Sequence, residues 1–364
     1  MDLAPDLKPP PQKRWVGIDL VRLISLFAIT VHHFIWVIWY TPDLTPVRGF
    51  LGWDLVEAYA RFLSFSGHSI LFLSCFLIGY SEIKALKTWR VVIFVAAGWI
   101  LFCSFEKGEN PVFWAWDIYP LIVFGLASGA LLKQLSKKAV YAIGLLGFLM
   151  TWIPFWEFSA FDSLSLQWRH WLVGDCSVDL ADWPILPWAG FIWAPYALGV
   201  WVRDRLTRGL SNPLARFTKP EAAFWLIGCV VAFPNLGAFY KIILGPSFAC
   251  YSFRQPPYIF WSHFIYVLFV LRLTVVDRVQ NVLVKVRGLR LVSRLKVSTS
   301  FGLFYLVHYT LIEMCRAFLR VEIQSNIPFS FFVFAMILPV TEATVWILEG
   351  SVKKILNRRH RDVS

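Results

Sequence analysis

Apolar and polar positions along this chain fall into long blocks rather than short residue-by-residue periods. Apolar runs lie near 17–40, 55–82, 91–105, 114–132, 139–156, 185–202, 221–240, 257–277, 298–319 and 328–348. About 20 apolar residues suffice for a helix to cross a bilayer's hydrocarbon core. The pattern therefore predicts an all-α, polytopic membrane protein of about ten transmembrane helices. A polar tail (1–16) precedes the membrane domain (17–348), and a basic tail (349–364) follows it. The distribution of positive charge tests this count, because Lys and Arg concentrate in cytoplasmic connections. With the N-terminus placed inside, the inner segments hold 25 Lys/Arg and the outer ones six. That asymmetry predicts that both termini face the cytoplasm.

Two connections carry patterns of their own. The expected outer segment 157–185, "EFSAFDSLSLQWRHWLVGDCSVDLADWPI", is long and rich in Trp and Asp, as functional lids often are. The expected cytoplasmic segment 278–296 has apolar residues at 279, 282, 283, 286, 289, 292 and 295 and a basic opposite face. This spacing predicts an amphipathic helix lying in the membrane interface, against lipid.

Composition sharpens the class. Of 364 residues, 58% are hydrophobic and 16% charged, where a soluble domain carries about 25% charged residues. The 19 Trp and 33 Phe suit membrane interfaces. The net charge of +12 sits mainly on expected inner connections, so it is a topology signal and implies no nucleic-acid partner. No signal peptide is evident in the polar, Pro-rich start "MDLAPDLKPPPQKRW". The six cysteines show no CxxC spacing and no Cys/His cluster suited to a metal, so no metal is expected. Cys176 and Cys250 fall in expected outer loops, which leaves a disulfide between them open.

Ionisable residues inside membrane segments are costly and are functional candidates by default. Arg61, Arg272 and Arg316 lie towards helix ends, where snorkelling accounts for part of their presence. His263 suits a packed hydrogen bond between helices. "GIDLVRLISLFAITVHHFIW" is harder to explain by packing. Arg22 and His33 are eleven residues apart, which returns to within about 20° of one helix face, about 16 Å along the axis. His32 lies about 80° off that line. A permanent cation at the expected cytoplasmic end suits a phosphate-bearing donor, and a deeper imidazole suits general-base work. An extended thioester arm such as pantetheine spans that distance. Asp19, one turn before Arg22, is placed to hold the guanidinium; a buried Asp–Arg pair with a satisfied histidine is the competing reading.

These residues resemble the opening helix of integral-membrane acyltransferases of the acyltransferase-3 type. Their YeiB-like and heparan-α-glucosaminide N-acetyltransferase-like relatives share the pattern of an Arg and, after ten residues, a His, which Arg22 and His33 match. "GHSILFLSCFLIGY" (67–80) resembles the second helix of that group. "DWPILPWAGFIWAPYALG" (182–199) is similar to a Pro-Trp-Gly segment of the heparan-acetyltransferase-like branch. "TSFGLFYLVHYTLIEM" (299–314) resembles the penultimate helix. The chain departs from the pattern at Leu23, where many members have Gly or Ala, and at Cys75, where the usual glycine is missing.

The resemblance implies a membrane-bound, acyl-CoA-dependent transferase, most often an O-acetyltransferase. It moves an acyl group from cytosolic acetyl-CoA or another acyl-CoA to a hydroxyl or amine of a glycan or lipid-linked sugar at the outer face, with no bound cofactor. It implies His33 as catalytic histidine, either deprotonating the acceptor or carrying the acyl group covalently, and Arg22, with Asp19, as donor-side residues. His308 and His68 are further catalytic candidates. Asp182, Trp183 and Trp188 are expected at an acceptor platform, because aromatic faces and carboxylates suit sugars. The expected location is a bacterial inner membrane. A secondary transporter of a small polar or anionic solute is the rival reading, since midplane charges and Pro187, Pro195 and Pro339 inside helices suit it equally.

Overall fold

A computed structural model describes residues 15–39, 66–81, 85–105, 118–153, 155, 158–173, 184–212, 214, 257–286, 294–295 and 300–361. No strand occurs among the described residues. The helices are α1 (Val16–Phe34), α2 (Ser66–Tyr80), α3 (Ala85–Phe105), α4 (Ile118–Leu132), α5 (Lys137–Met150), α6 (Leu166–Val173), α7 (Ile185–Trp188), α8 (Gly190–Thr207), α9 (Pro257–Val275), α10 (Asp277–Lys285), α11 (Phe301–Ser325) and α12 (Ile327–Arg361). Helix therefore occurs in nine of the ten expected apolar segments; 221–240 lies outside the described residues, as do Cys176 and Cys250. Three helical stretches among the described residues are long and apolar enough to cross a membrane: Val16–Phe34, Ile185–Thr207 and Ile327–Ser351. Ser69–Tyr80, Leu121–Leu132 and Phe264–Val275 are shorter apolar helices.

Several boundaries differ from the apolar pattern, and the causes are local. α3 begins at Ala85, before the apolar run starts at 91, and α12 continues past 348 to Arg361. Lys and Arg are good helix formers, so a helix continues into its basic flank where apolarity ends. The segment 278–296 is not one continuous helix: α10 stops at Lys285, and Val286 is extended (φ −78°, ψ 110°). Three valines at 282, 284 and 286 crowd this last stretch, and β-branched side chains favour extended backbone. Val282, Val284 and Val286 are exposed while Gln280 is buried, so the inward-facing residue of α10 is polar. Leu186 interrupts α7 from within (φ −102°, ψ 124°). It precedes Pro187, whose ring forces its predecessor out of the helical region.

Among the described residues α2 and α8 pack together most extensively, α5 also packs on α8, and α4 lies beside α3. α1 packs on α2, α9, α10 and α11, and α11 packs along α12. One large core runs through these contacts and includes Trp15, Ile18, Phe72, Phe76, Trp188, Phe191, Phe264 and Tyr305. A second gathers Phe34, Ile38, Ile312, Ile323, Val333 and Ile337 where α1, α11 and α12 meet.

Where lipid tails are as apolar as leucine, close backbone approach drives helices together. Gly79 and Gly199 supply it here. A Cβ on Gly79 would overlap the Tyr196 carbonyl, and one on Gly199 would overlap the Phe76 carbonyl and stand 2.7 Å from the Tyr80 nitrogen. Both obstacles are backbone and cannot swing aside. Gly199→Ala is therefore expected to destabilise the protein by about 1–3 kcal/mol, as overpacking does. A thermal melt of the purified variant checks this, and an unchanged midpoint would show that α2 and α8 separate freely.

Candidate functional site

The last turn of α1 carries His32 and His33, and directly after it the helix widens into a π-turn, Ile35–Trp39. Such turns often mark functional positions. Gln324 of α11 donates to the Ile38 carbonyl within this turn and so ties α1 to α11. α11 contributes Tyr305, His308 and Tyr309, which share one face at i, i+3 and i+4.

This packing brings together two histidines 275 positions apart. His33 Nδ1 lies 3.3 Å from His308 Nε2, and the rings stack 16° from parallel with centroids 5.5 Å apart. The Tyr305 hydroxyl stands 3.5 Å from His33 Nε2. The edge of Tyr309 meets the His33 ring at 4.8 Å, and Tyr305 meets the His308 ring at the same separation. His308 is fully enclosed, whereas His33 is only partly buried. His32 neighbours His33, with centroids 5.6 Å apart.

The contacts restrict the tautomers. Each neutral imidazole has one donor and one acceptor nitrogen. If His33 donates from Nδ1 to His308 Nε2, its Nε2 is the acceptor and Tyr305 O–H donates to it. If the His33–His308 bond runs the other way, His33 Nε2–H donates to the Tyr305 oxygen. In both cases the Nε2 contact is long for a hydrogen bond, which makes it the position where an incoming hydroxyl can take over from Tyr305.

The other end of α1 is also polar and buried. Asp19 and Arg22 are only 4% and 6% exposed, too little for a snorkelling side chain. Their charged groups approach to 4.0 Å, an ion pair without close hydrogen-bond geometry. This end of α1 packs against α9 and α10. A Cβ on Gly17 would stand 2.7 Å from Gln280 Nε2 and 2.8 Å from the Thr274 carbonyl, and Gln280 itself donates to that carbonyl.

Arg272 needs a correction here. It is only 3% exposed, so it does not snorkel to a surface but adds a second buried guanidinium on the α9 side of α1. Arg316 does sit at a surface, paired with Glu313 at 2.7 Å. Arg61 and the side chains of His68 and His263 lie outside the described residues.

Of the expected acceptor platform, Asp182 and Trp183 also lie outside the described residues. Trp188 is fully enclosed and packs against Phe191 with centroids 5.5 Å apart. It is a core residue with no ring face open to a sugar. Exposed aromatic surface in this region is supplied instead by Trp168 on α6, which meets Trp171 edge to face at 5.2 Å. An ion pair between Arg169 and Asp162 (3.2 Å) ties α6 to the turn before it.

Tyr305 and Tyr309 were not among the expected site residues. Their signal was present in "YLVHY", where helical spacing puts both tyrosines on the face of His308. In comparisons with family models, curated proteins and solved structures, nothing matches the chain.

Proposed function

We propose that this chain is a membrane-embedded acyltransferase that moves an acyl group from cytosolic acyl-CoA to a hydroxyl or amine of a glycan or lipid-linked sugar. The observation that carries the reading is the His33–His308 pair, 3.3 Å apart. It is built from helices distant in sequence, on the helix whose other end buries Asp19 and Arg22. An isolated buried imidazole has an ordinary packing explanation. Two coupled imidazoles, one of them partly open, with a tyrosine hydroxyl on the remaining nitrogen, suit the movement of a proton.

In this reading Arg22 holds a phosphate or carbonyl of the donor, and the thioester arm lies along α1. An acceptor hydroxyl replaces Tyr305 at His33 Nε2, which takes its proton. The acceptor oxygen bonds to the thioester carbonyl carbon, the carbon–sulfur bond breaks, and the CoA thiolate leaves. The proton held on His33 then passes to the thiolate, so the histidine returns to its starting form. His308 fixes the tautomer of His33 throughout.

Purified protein given acetyl-CoA labelled in the acetyl group is expected to move the label to an acceptor or to water, with equimolar release of free thiol. Intact thioester after prolonged incubation with surface-glycan acceptors would overturn the reading. The transporter reading draws on the break at Leu186 and on Pro195 and Pro339 within α8 and α12. It requires solute to cross sealed proteoliposomes while the thioester stays whole.

The proposed topology has both termini and the basic connections inside. Single cysteines at positions 12, 165 and 358 of a cysteine-free chain test it in intact cells. An impermeant reagent is expected to label position 165 alone. Labelling at 12 or 358 would reverse the orientation.

A further inference from the structure

Three polar connections meet at one end of the bundle: Ser81 after α2, the turn between α4 and α5, and Arg203 near the end of α8. They surround a cavity of about 320 Å³ lined by Lys133, Lys137, Arg203 and Tyr196, with Leu132 and Val200 among the apolar walls. Trp15, just before α1, packs against Tyr80 beside Ser81 with centroids 4.5 Å apart and the rings tilted by 37°. The cavity therefore lies at the end where α1 begins, the end expected to face the cytoplasm.

The charge balance at this cavity is positive. Three cationic side chains and no carboxylate line it among the described residues. The neighbouring Asp204 is shared between Lys137 and Arg208, with Arg208 at 2.7 Å. Arg203 gives one N–H to the Ser81 carbonyl at 2.9 Å. A guanidinium has five N–H donors in a fixed fork, so this bond orients the group while using one of the five. The volume lies at the small end of ligand cavities: it admits a headgroup and excludes acyl chains. Basic cavities between membrane helices at the cytoplasmic side are suited to anionic lipid headgroups.

We propose that this cavity is a binding site for a phosphate group, carried either by an anionic phospholipid of the adjoining leaflet or by a soluble phosphate compound. The site is separate from the histidine pair and does not depend on acyl transfer. Lys133 and Arg203 contact the phosphate oxygens from two helix ends, and Lys137 contributes a third charge while it is held by Asp204. Burial and the adjacent Arg203 push the Lys133 ammonium down to about 8. Its charge is thus largely present at pH 7 and is lost as pH rises through that value. Lys137, Arg203, Tyr196 and Asp204 are the other charged or titratable groups around it among the described residues.

The test uses the full chain in nanodiscs. One arm compares phosphatidylcholine discs with discs containing phosphatidylglycerol. The other adds inorganic phosphate to phosphatidylcholine discs. Each arm reads the thermal midpoint at constant ionic strength, for wild type and for Lys133→Gln, a change of similar length at a half-buried position just after α4, and the midpoint of each protein without added anion shows whether the fold is kept. The wild-type midpoint is expected to rise in one arm, and the arm that responds identifies the source of the phosphate. Apparent affinity should fall about tenfold in Lys133→Gln, as for one lost charge-assisted hydrogen bond. In the phosphatidylglycerol arm, where the headgroup charge is constant over this range, the wild-type response should also shrink between pH 7 and pH 9. Arg203→Lys keeps the charge and loses the fork, and is expected to fall between the two. No wild-type response in either arm, or an equal response in Lys133→Gln, would overturn the proposal.

Discussion

His33→Ala should lower acyl transfer by a factor of about 10²–10⁴, the range that a positioned general base contributes, while the protein still folds and inserts. The expectation rests on position as well as on residue type. His33 is the partly open member of the pair, and its Nε2 meets only the Tyr305 hydroxyl, at 3.5 Å. His308 is fully enclosed, so it acts on the reacting atoms only through His33. His308→Ala should therefore cost less turnover than His33→Ala and should leave donor affinity unchanged. His308→Gln, which restores a polar partner for Nδ1, should recover part of the loss. His32→Ala should be milder than either, because His32 touches the edge of the pair and lies off the Arg22 face. The measurement is turnover of labelled acetyl-CoA by each purified variant, beside a thermal melt. Wild-type turnover in a folded His33→Ala protein would remove the pair from the chemistry and leave it as a hydrogen bond between helices.

How much of this was legible in the sequence depends on the range of the interaction. Apolar blocks report local burial in lipid, and helices indeed occupy every expected segment that the structure describes. The alignment of Arg22 with His33 is also local, since helical geometry fixes it within one element. The meeting of His33 with His308 is not local. Nothing in the periodicity of α1 specifies which face of α11 it meets, although an ionisable residue inside an apolar segment marks each histidine as a candidate. Trp188 illustrates the opposite limit. A tryptophan at the mouth of a helix, close to acidic residues, suits a sugar platform by composition, yet Trp188 follows the bend at Leu186 and Pro187 and lies in the core beside Phe191. Arg272 departs from the pattern for a related reason. Its place in the last turn of α9 suggested an exit to the surface, but α9 leads straight into α10 and packs on α1, which covers that turn.

Arg22→Lys should weaken acyl-CoA binding by about one to two decades, and Arg22→Ala should weaken it further. Arg22 is buried on α1 next to Asp19, one helix face and about 16 Å from His33. Lysine preserves the charge but gives up the planar fork that matches phosphate and carbonyl oxygens. The loss of one charge-assisted hydrogen bond costs about 1.5–3 kcal/mol, which sets the size of the effect. Acceptor affinity should change little in either variant, because the acceptor is expected at the other end of the helix. Asp19→Asn separates the donor role from a purely structural one. If the carboxylate only orients Arg22, this variant should bind acyl-CoA somewhat more weakly and keep its turnover at saturating donor. If the pair is simply a buried ion pair, breaking it from either side leaves one charge unpaired and should lower the melting temperature by a similar amount, with donor affinity intact. Titration of acyl-CoA into all three variants, each with its own thermal melt, distinguishes the two outcomes. Unchanged donor affinity in a folded Arg22→Ala protein would assign the residue to packing against α9 and α10.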